Sequence, residues 1–209
     1  MRSNLDLLRD SVDMLSGKWA DVIPTFFFYG ILTQVFSEFL KLYLGYGPFQ
    51  GVIFDIAYFA LTAPMSVGII IYSLAVINNK DFSFNLLFKP YDNYLKTIGL
   101  IFVLSIIIIG GFALFIIPGI ILSLIFSMSL YIFAEEPQIT IGEALQKSSE
   151  LTKGYRTKLF LLGLIYAGLV ILSLFTLFIG LIWLIPLFGI TSANFYNDLK
   201  STQRLKKIS

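Results

Sequence analysis

Two long uncharged runs constrain the fold of this chain more than any other feature. No charged residue occurs between Lys96 and Glu135, or between Lys158 and Asp198. A helix crosses a bilayer with about 20 consecutive apolar residues, so each run is long enough for two spanning helices. The whole chain is 57% hydrophobic and 13% charged, whereas soluble domains carry about 25% charged residues. The sequence therefore predicts an integral membrane protein.

We predict an all-α polytopic membrane protein in which residues 1–209 form a single domain. Short connections between consecutive spans, around Gly/Pro-rich 44–51, Pro118 and Gly180, make them antiparallel neighbours and so give three helical hairpins. Pro118 suits the first turn of the fourth helix. The six spans are predicted at 22–44, 52–77, 95–117, 118–134, 159–179 and 181–197.

The basic residues predict the orientation. Of the 15 lysine and arginine residues, all except Lys41 lie before the first hairpin, between hairpins, or after the last one. Short loops rich in Lys and Arg remain on the cytoplasmic side of a membrane. We therefore expect a multi-pass protein of the cell membrane with both termini in the cytoplasm.

Two polar segments, 1–20 and 140–157, are predicted to form amphipathic helices at the cytoplasmic surface. The second begins with the capping-box pattern Thr-x-x-Glu at Thr140, and the first begins with a similar Ser-x-x-Asp pattern at Ser3. Gly154 is expected to end the second helix. Residues 83–93 form a shorter third candidate, interrupted by proline.

The apolar stripes of these helices are expected either to cover the inner mouth of the bundle or to dock a protein partner. The first helix balances three basic against three acidic residues, which argues against binding of anionic lipid by its polar face. The candidate docking face consists of Leu5, Leu8, Val12, Leu15, Trp19, Leu145, Leu151 and Tyr155.

The two polar segments also resemble each other. Residues 7–19 align without gaps on residues 144–156, so that two serines, Ser11 and Ser148, and two glycines coincide. The second helix of each hairpin carries a proline. These features support the hypothesis of a threefold hairpin repeat, as found in membrane transporters, although the match is short enough to arise without one.

Five residues are candidate contacts for a substrate or an ion. Ionisable residues inside membrane spans are functional candidates, but near span ends they also pair or reach the headgroups. A proline inside a helix frees the backbone carbonyl one turn earlier. That carbonyl either lines a cavity, or the proline only kinks the helix. The candidates are Glu38, Lys41, Asp55, Pro64 and Pro186.

Several classes of chemistry are disfavoured. The chain contains neither histidine nor cysteine, which removes the commonest zinc and copper ligands and the commonest general bases and nucleophiles. It contains no phosphate-binding loop, dinucleotide fingerprint or hydrolase motif, and its net charge is only +2. We expect no catalytic residue, no metal, no cofactor, no nucleic-acid partner, and no enzymatic activity.

Three segments resemble a family of uncharacterised bacterial integral membrane proteins, domain of unknown function 975. They are "LRDSVDMLSGKW", "EEPQITIGEALQKSSELTKGYRTKLFLLGL" and "GLIWLIPLFGITSANFY". The resemblance covers nearly the whole chain and implies a six-helix membrane protein, without any activity to carry over. This chain departs from the family where Glu136 replaces a frequent Asp and Tyr155 replaces a frequent His.

Together these features favour a non-enzymatic membrane accessory or scaffold protein. It is expected to bind membrane lipid along its spans and a protein partner at its cytoplasmic face. One form of this hypothesis is a permease-like subunit of an export or peptide-immunity system. The alternative is a self-contained transporter of a small molecule or lipid, with a cavity at the proline-kinked helices.

Overall fold

The computed structural model describes residues 1–44 and 48–208, and within them all regular structure is helical. Two 3₁₀ turns, Phe84–Leu87 and Lys89–Asn93, precede α4, and we call them the 3₁₀ segment. The α-helices are α1 (Asn4–Leu15), α2 (Trp19–Leu44), α3 (Pro48–Ile77), α4 (Tyr94–Leu114), α5 (Ile116–Phe126), α6 (Ser129–Glu135), α7 (Ile141–Thr152), α8 (Arg156–Leu174) and α9 (Leu181–Ile208).

Five helical stretches of the described chain are long and apolar enough to cross a membrane. The predicted sixth span, 181–197, lies in α9, which is not among the five and continues to Ile208. Polar residues such as Thr191 and Asn194 lower the hydropathy of that region. The five stretches are Trp19–Tyr43, Gly51–Ile77, Phe84–Leu114, Ile116–Glu135 and Arg156–Leu174.

The helix corners follow from particular residues. The backbone of Phe115 is extended and separates α4 from α5, whose first turn contains Pro118 as predicted. At this corner a Cβ atom added to Gly111 would lie 3.0 Å from Cα of Gly119, and one added to Gly119 would overlap the ring of Phe112, so the close approach favours glycine at both positions. The fourth predicted span is divided, because the chain turns at 127–128 between α5 and α6. The predicted turn at 44–51 falls partly on residues 45–47, outside the described residues.

One end of the molecule, which we call the cap, is formed by α1, α6, α7, the 3₁₀ segment, the last turns of α3 and the C-terminal half of α9. The main packed core lies in the cap and continues into the adjoining parts of α2 and α8 and the first half of α9. Leu7, Tyr72 and Leu199 are fully or almost fully buried there. Away from the cap, large apolar side chains stay exposed, for example Leu42 at 81% and Phe175 at 85%. Such side chains suit contact with lipid acyl chains.

The surface helices α1 and α7 have the same local structure, displaced by 137 residues along the chain. Each has 12 residues and begins with a capping box, at Ser3 and Thr140. Each is followed by a glycine with a positive φ angle, 75° at Gly17 and 83° at Gly154. This agreement supports the repeat hypothesis for these two segments. Both helices are shorter than predicted, and α7 ends just before Gly154, where a stop was expected.

The capping boxes also set the acidity of their carboxyl groups. Hydrogen bonds from Ser3, side chain and backbone, lower the pKa of Asp6, and hydrogen bonds from the backbone and side chain of Thr140 lower that of Glu143. Both carboxylates are exposed. Because the folded pKa values are lowered, the capping contribution is present at neutral pH and is lost as pH falls through those values.

The structure defines which face of each surface helix points inward. In α1 the fully buried residues are Leu7, Ser11 and Leu15, while Leu5 and Val12 are exposed. The inward face is therefore rotated from the apolar stripe of the sequence, because it includes a serine that hydrogen-bonds. The equivalent inward positions in α7 are Ala144, Ser148 and Thr152, all fully buried.

Apart from the three surface segments, α1, the 3₁₀ segment and α7, the helices form three pairs: α2 with α3, α4 with α5 and α6, and α8 with α9. Two of the three surface segments pack against the second member of the pair that precedes them, and α1 packs against the second member of the last pair. The 3₁₀ segment packs on α3, α7 packs on α5 and α6, and α1 packs on α9. The last contact joins the start of the described chain to its final helix, so the three segments and three helix pairs form a closed ring. This ring brings α3, α6 and α9 together at the cap.

The two positive-φ glycines give a direct test of the repeated surface-helix structure. Replacing Gly17 or Gly154 by alanine should each lower the free energy of unfolding by about 1–2 kcal/mol, the cost of left-handed backbone for an L-residue. A Cβ at either position has nothing within 4 Å, so the effect reports backbone conformation alone.

The measurement is unfolding in detergent followed by far-UV circular dichroism. Gly163→Ala is the matched control, because Gly163 is helical and its added Cβ also meets nothing within 4 Å; its stability should stay unchanged or rise. Equal effects of all three substitutions would contradict the left-handed backbone conformation of Gly17 and Gly154.

Candidate functional site

A cleft of about 500 Å³ opens in the cap where α3, α6, α9 and the 3₁₀ segment meet. Its apolar wall includes Ile71, Leu74 and Leu86. Its charged lining contains equal numbers of lysines and carboxylates. The charged residues are Lys80, Lys89, Lys200, Asp81, Glu135 and Glu136.

Glu135, the last residue of α6, is the central polar contact of the cleft. Its Oε2 atom accepts a hydrogen bond of 2.7 Å from the Tyr196 hydroxyl and an ion pair from Lys200, both on α9. The ring of Tyr196 stacks on that of Tyr131 with centroids 5.5 Å apart. Glu135 therefore joins α6 to α9 rather than standing free at a helix end.

The other charged groups of the cleft differ in their partners. Glu136 forms an exposed ion pair with Lys147 of α7. Within the described side chains, Lys80, Asp81 and Lys89 form no ion pair or side-chain hydrogen bond. Two ammonium groups and one carboxylate are thus available at the mouth of the cleft to bind charged groups of another molecule.

A polar network around Arg2 closes the ring between α1 and α9. The backbone N–H and the Nε atom of Arg2 donate to the carboxylate of Asp198 at 3.1 and 3.2 Å, and its guanidinium also donates to Asn194 at 2.9 Å. Asp10 forms an ion pair with the same guanidinium. The amide of Asn194 in turn donates to the buried hydroxyl of Ser11 at 3.2 Å.

The serine equivalent to Ser11, Ser148, also hydrogen-bonds to a neighbouring helix, but through backbone groups. The Ser148 hydroxyl of α7 donates to the carbonyl of Ile125 at 2.9 Å and accepts from the N–H of Met128 at 3.2 Å. These two backbone groups flank the turn between α5 and α6, where regular helix hydrogen bonds are interrupted. The Thr152 hydroxyl also donates to the Ile125 carbonyl, at 3.2 Å.

The helix around Pro64 is closely packed, and the carbonyl that the proline frees, that of Ala60, is occupied. The Tyr94 hydroxyl donates to the carbonyl of Ala60 at 3.1 Å, and the Tyr91 hydroxyl donates to that of Leu61. One turn later, a Cβ on Gly68 would overlap the backbone of the 3₁₀ segment. These contacts fix the 3₁₀ segment and α4 against the kink.

Pro186 lies in a similar environment. It is buried, and a Cβ on Gly189 would lie 2.7 Å from the ring of Phe26 on α2. The Tyr166 hydroxyl of α8 donates to the carbonyl of Leu187 at 3.2 Å. The Pro/Gly positions of α3 and α9 are therefore sites of close helix packing.

The remaining candidate contacts lie away from the cap. Glu38 pairs with Lys41 at 2.8 Å, as the three-residue spacing predicted, and it also accepts from Gln34 at 3.1 Å. Asp55 is exposed on the neighbouring helix α3. None of these residues lines the charged cleft.

The predicted docking face is divided between core and surface. Leu15 and Leu151 are buried in the cap core, and Leu8, Trp19 and Tyr155 pack against that core. Leu145 packs against a second, smaller buried cluster. Leu5 and Val12 remain 61% and 40% exposed. The buried members hold the cap together, so any docking through this stripe would use the two exposed ones.

Sequence reasoning did not identify the cleft or the Arg2 network. In the sequence, two consecutive acids before Pro137 indicate only a helix end. Glu135 does end a helix, but its partners lie 61 and 65 residues away in the chain. Arg2 and Asp198 are separated by 196 residues, so no local pattern joins them. Among the described residues, no group of three or more acidic side chains is arranged to hold a metal ion.

Comparison with known proteins identifies a family for this chain. The family model described as "Protein of unknown function (DUF975)" matches residues 52–203. No curated protein and no solved structure matches the chain. The match covers more than half of the sequence, and the chain belongs to this family, as predicted. It includes two of the three segments on which the resemblance rested, whereas the first, residues 8–19, lies outside the match.

The contrast between Glu135 and Glu136 tests the central role of the first carboxylate. Glu135→Gln should lower the free energy of unfolding by about 1–2 kcal/mol, because hydrogen bonds to charged groups contribute about 1.5–3 kcal/mol and this one is partly exposed. Glu136→Gln, which removes only an exposed ion pair, should change it by less than about 0.5 kcal/mol.

Both variants would be unfolded in the same detergent beside the wild type. Equal losses, or a larger loss for Glu136→Gln, would contradict the assignment of Glu135 as the contact between α6 and α9.

Proposed function

We propose that this member of the DUF975 family is a non-enzymatic membrane scaffold or accessory protein that binds a protein partner in the cleft of its cap. The observation that carries the proposal is the group of three charged side chains at the cleft mouth, Lys80, Asp81 and Lys89, that have no ion-pair partner among the described residues. With two lysines and one carboxylate, the cleft mouth suits a partner segment that is mainly acidic and carries one basic group.

In this proposal the chain crosses the membrane six times, with 181–197 as the sixth span, and the cap lies in the cytoplasm. The concentration of lysine and arginine in the segments that build the cap supports that orientation. A cap on this side would present the cleft to cytoplasmic proteins. One form of the proposal is a permease-like subunit of an export or peptide-immunity system, with an ATPase as the partner.

The packing of the kinked helices supports a scaffold over a self-contained transporter. A transport cavity at Pro64 would use the backbone carbonyl that the proline frees, that of Ala60. This carbonyl already accepts a hydrogen bond from the Tyr94 hydroxyl, and the next carbonyl, that of Leu61, accepts one from the Tyr91 hydroxyl. At Pro186 the adjoining glycine is in contact with an aromatic ring. Both positions are therefore occupied by the protein's own side chains or backbone.

Site-specific photo-crosslinking tests the proposed partner site. A benzophenone amino acid at position 89, in the cleft, should yield one discrete protein adduct in the source cell. The same group at position 35, exposed on α2 away from the cap, is the matched control and should yield no such adduct. In a second chain with the benzophenone at position 89, the combined substitutions Lys80→Glu and Asp81→Lys should reduce the adduct severalfold, because they reverse the two other unpaired charges.

Two results would contradict the proposal. One is equal yield of the same adduct from positions 89 and 35. The other is the absence of any protein adduct from position 89 while the chain is present in the membrane at normal abundance.

A further inference from the structure

An apolar groove of about 690 Å³ runs between α1 and α8, outside the charged cleft. Its wall is formed by Leu5 of α1 and by Leu161, Leu164 and Ile165 of α8, and Lys158 lies at its end. Leu5 and Leu164 are 61% and 52% exposed. Lys158, Leu161 and Ile165 follow one another at spacings of three and four, so they lie on one face of α8.

The ammonium group of Lys158 has no carboxylate partner in the described chain. It donates to two backbone carbonyls, that of Arg2 at 3.0 Å and that of Met1 at 3.4 Å. On α1 and α9, three of the carboxylates are engaged elsewhere, and the fourth, Asp13, is exposed two turns further along α1 than Leu5. Asp6 accepts from Ser3 in the capping box, while Asp10 and Asp198 both pair with Arg2. The positive charge at the end of the groove is therefore uncompensated.

We infer that the groove binds one anionic phospholipid, with an acyl chain along Leu161 and Ile165 and the phosphate beside Lys158. The groove belongs to α8, which is long and apolar enough to span a membrane, and Lys158 lies in its first turn, the level of the headgroups. An anionic headgroup supplies the negatively charged partner that Lys158 lacks. A zwitterionic lipid of the same length fills the groove equally but brings no net charge.

The start of α8 adds to this preference. Lys158 lies in the first turn of α8, whose dipole favours an anion at that end of the helix. The balanced charge of α1 disfavours binding of anionic lipid by the polar face of that helix. It does not affect this site, because the lysine that recognises the headgroup belongs to α8.

The experiment uses the full chain, purified and delipidated in detergent, with phosphatidylglycerol and phosphatidylcholine of identical acyl chains. Native mass spectrometry should show one phosphatidylglycerol retained in preference to phosphatidylcholine. Lys158→Gln should reduce that preference about fivefold, because a lysine near a membrane surface contributes about 1 kcal/mol to binding anionic lipid. Lys153→Gln, which removes an exposed lysine outside the groove, should leave the preference unchanged.

Lys158 also donates to the backbone of residues 1–2, so its substitution could lower stability as well as lipid binding. A second variant separates these two effects. Leu164→Trp fills the groove from an exposed position and keeps the Lys158 contacts, so it should reduce retention of phosphatidylglycerol without lowering the melting temperature. Inorganic phosphate at millimolar concentration should not compete. Unchanged preference in both variants, or effective competition by inorganic phosphate alone, would overturn the inference.

Discussion

The contact of α1 with α9 is the interaction on which the rest of the cap depends. The 3₁₀ segment and α7 each pack on the helix pair that comes just before them in the chain, whereas α1, the first described helix, packs on the last pair. Arg2 makes this contact specific, because its backbone and guanidinium together engage both carboxylate oxygens of Asp198 and the amide of Asn194. Bidentate recognition of this kind depends on geometry as well as charge.

The position of the core has a physical reason. Lipid tails are as apolar as leucine, so hydrophobicity does not drive spanning helices together in a bilayer. Burial of apolar surface from water does stabilise a cap that lies outside the bilayer. The described chain agrees with this distinction, since its packed core comprises the cap and the helix turns next to it, whereas its outer helical segments expose residues such as Leu42 and Phe175. The cap thus supplies the fixed geometry of the cleft.

Features encoded over a few residues could be predicted from the sequence. The capping box at Thr140, the glycine stop at Gly154 and the proline in the first turn of α5 depend only on neighbouring residues. The inward face of α1 could not be predicted in the same way. Apolar spacing selected Leu5 and Val12, whereas the structure buries Ser11 because Asn194, 183 residues later, donates to its hydroxyl.

The candidate site was harder still to predict, because its residues come from four separate elements. Glu135 appeared in the sequence as one of two consecutive acids before a proline, a pattern that indicates only a helix end. Its role follows from Tyr196 and Lys200, which α9 brings to it once the ring is closed. The match between α1 and α7 was visible in sequence, but its meaning became clear from the equivalent docking of Ser11 and Ser148.

The most direct test of the closed cap is the distance between α1 and α9 in a lipid bilayer. The chain has no cysteine, so Asp13→Cys and Leu205→Cys, at exposed positions on the two helices, would carry the only spin labels. Double electron–electron resonance in nanodiscs should give one narrow distance distribution that matches the docked helices. A broad distribution, or a main peak at a longer distance, would show that α1 is not held on α9 and would contradict the account.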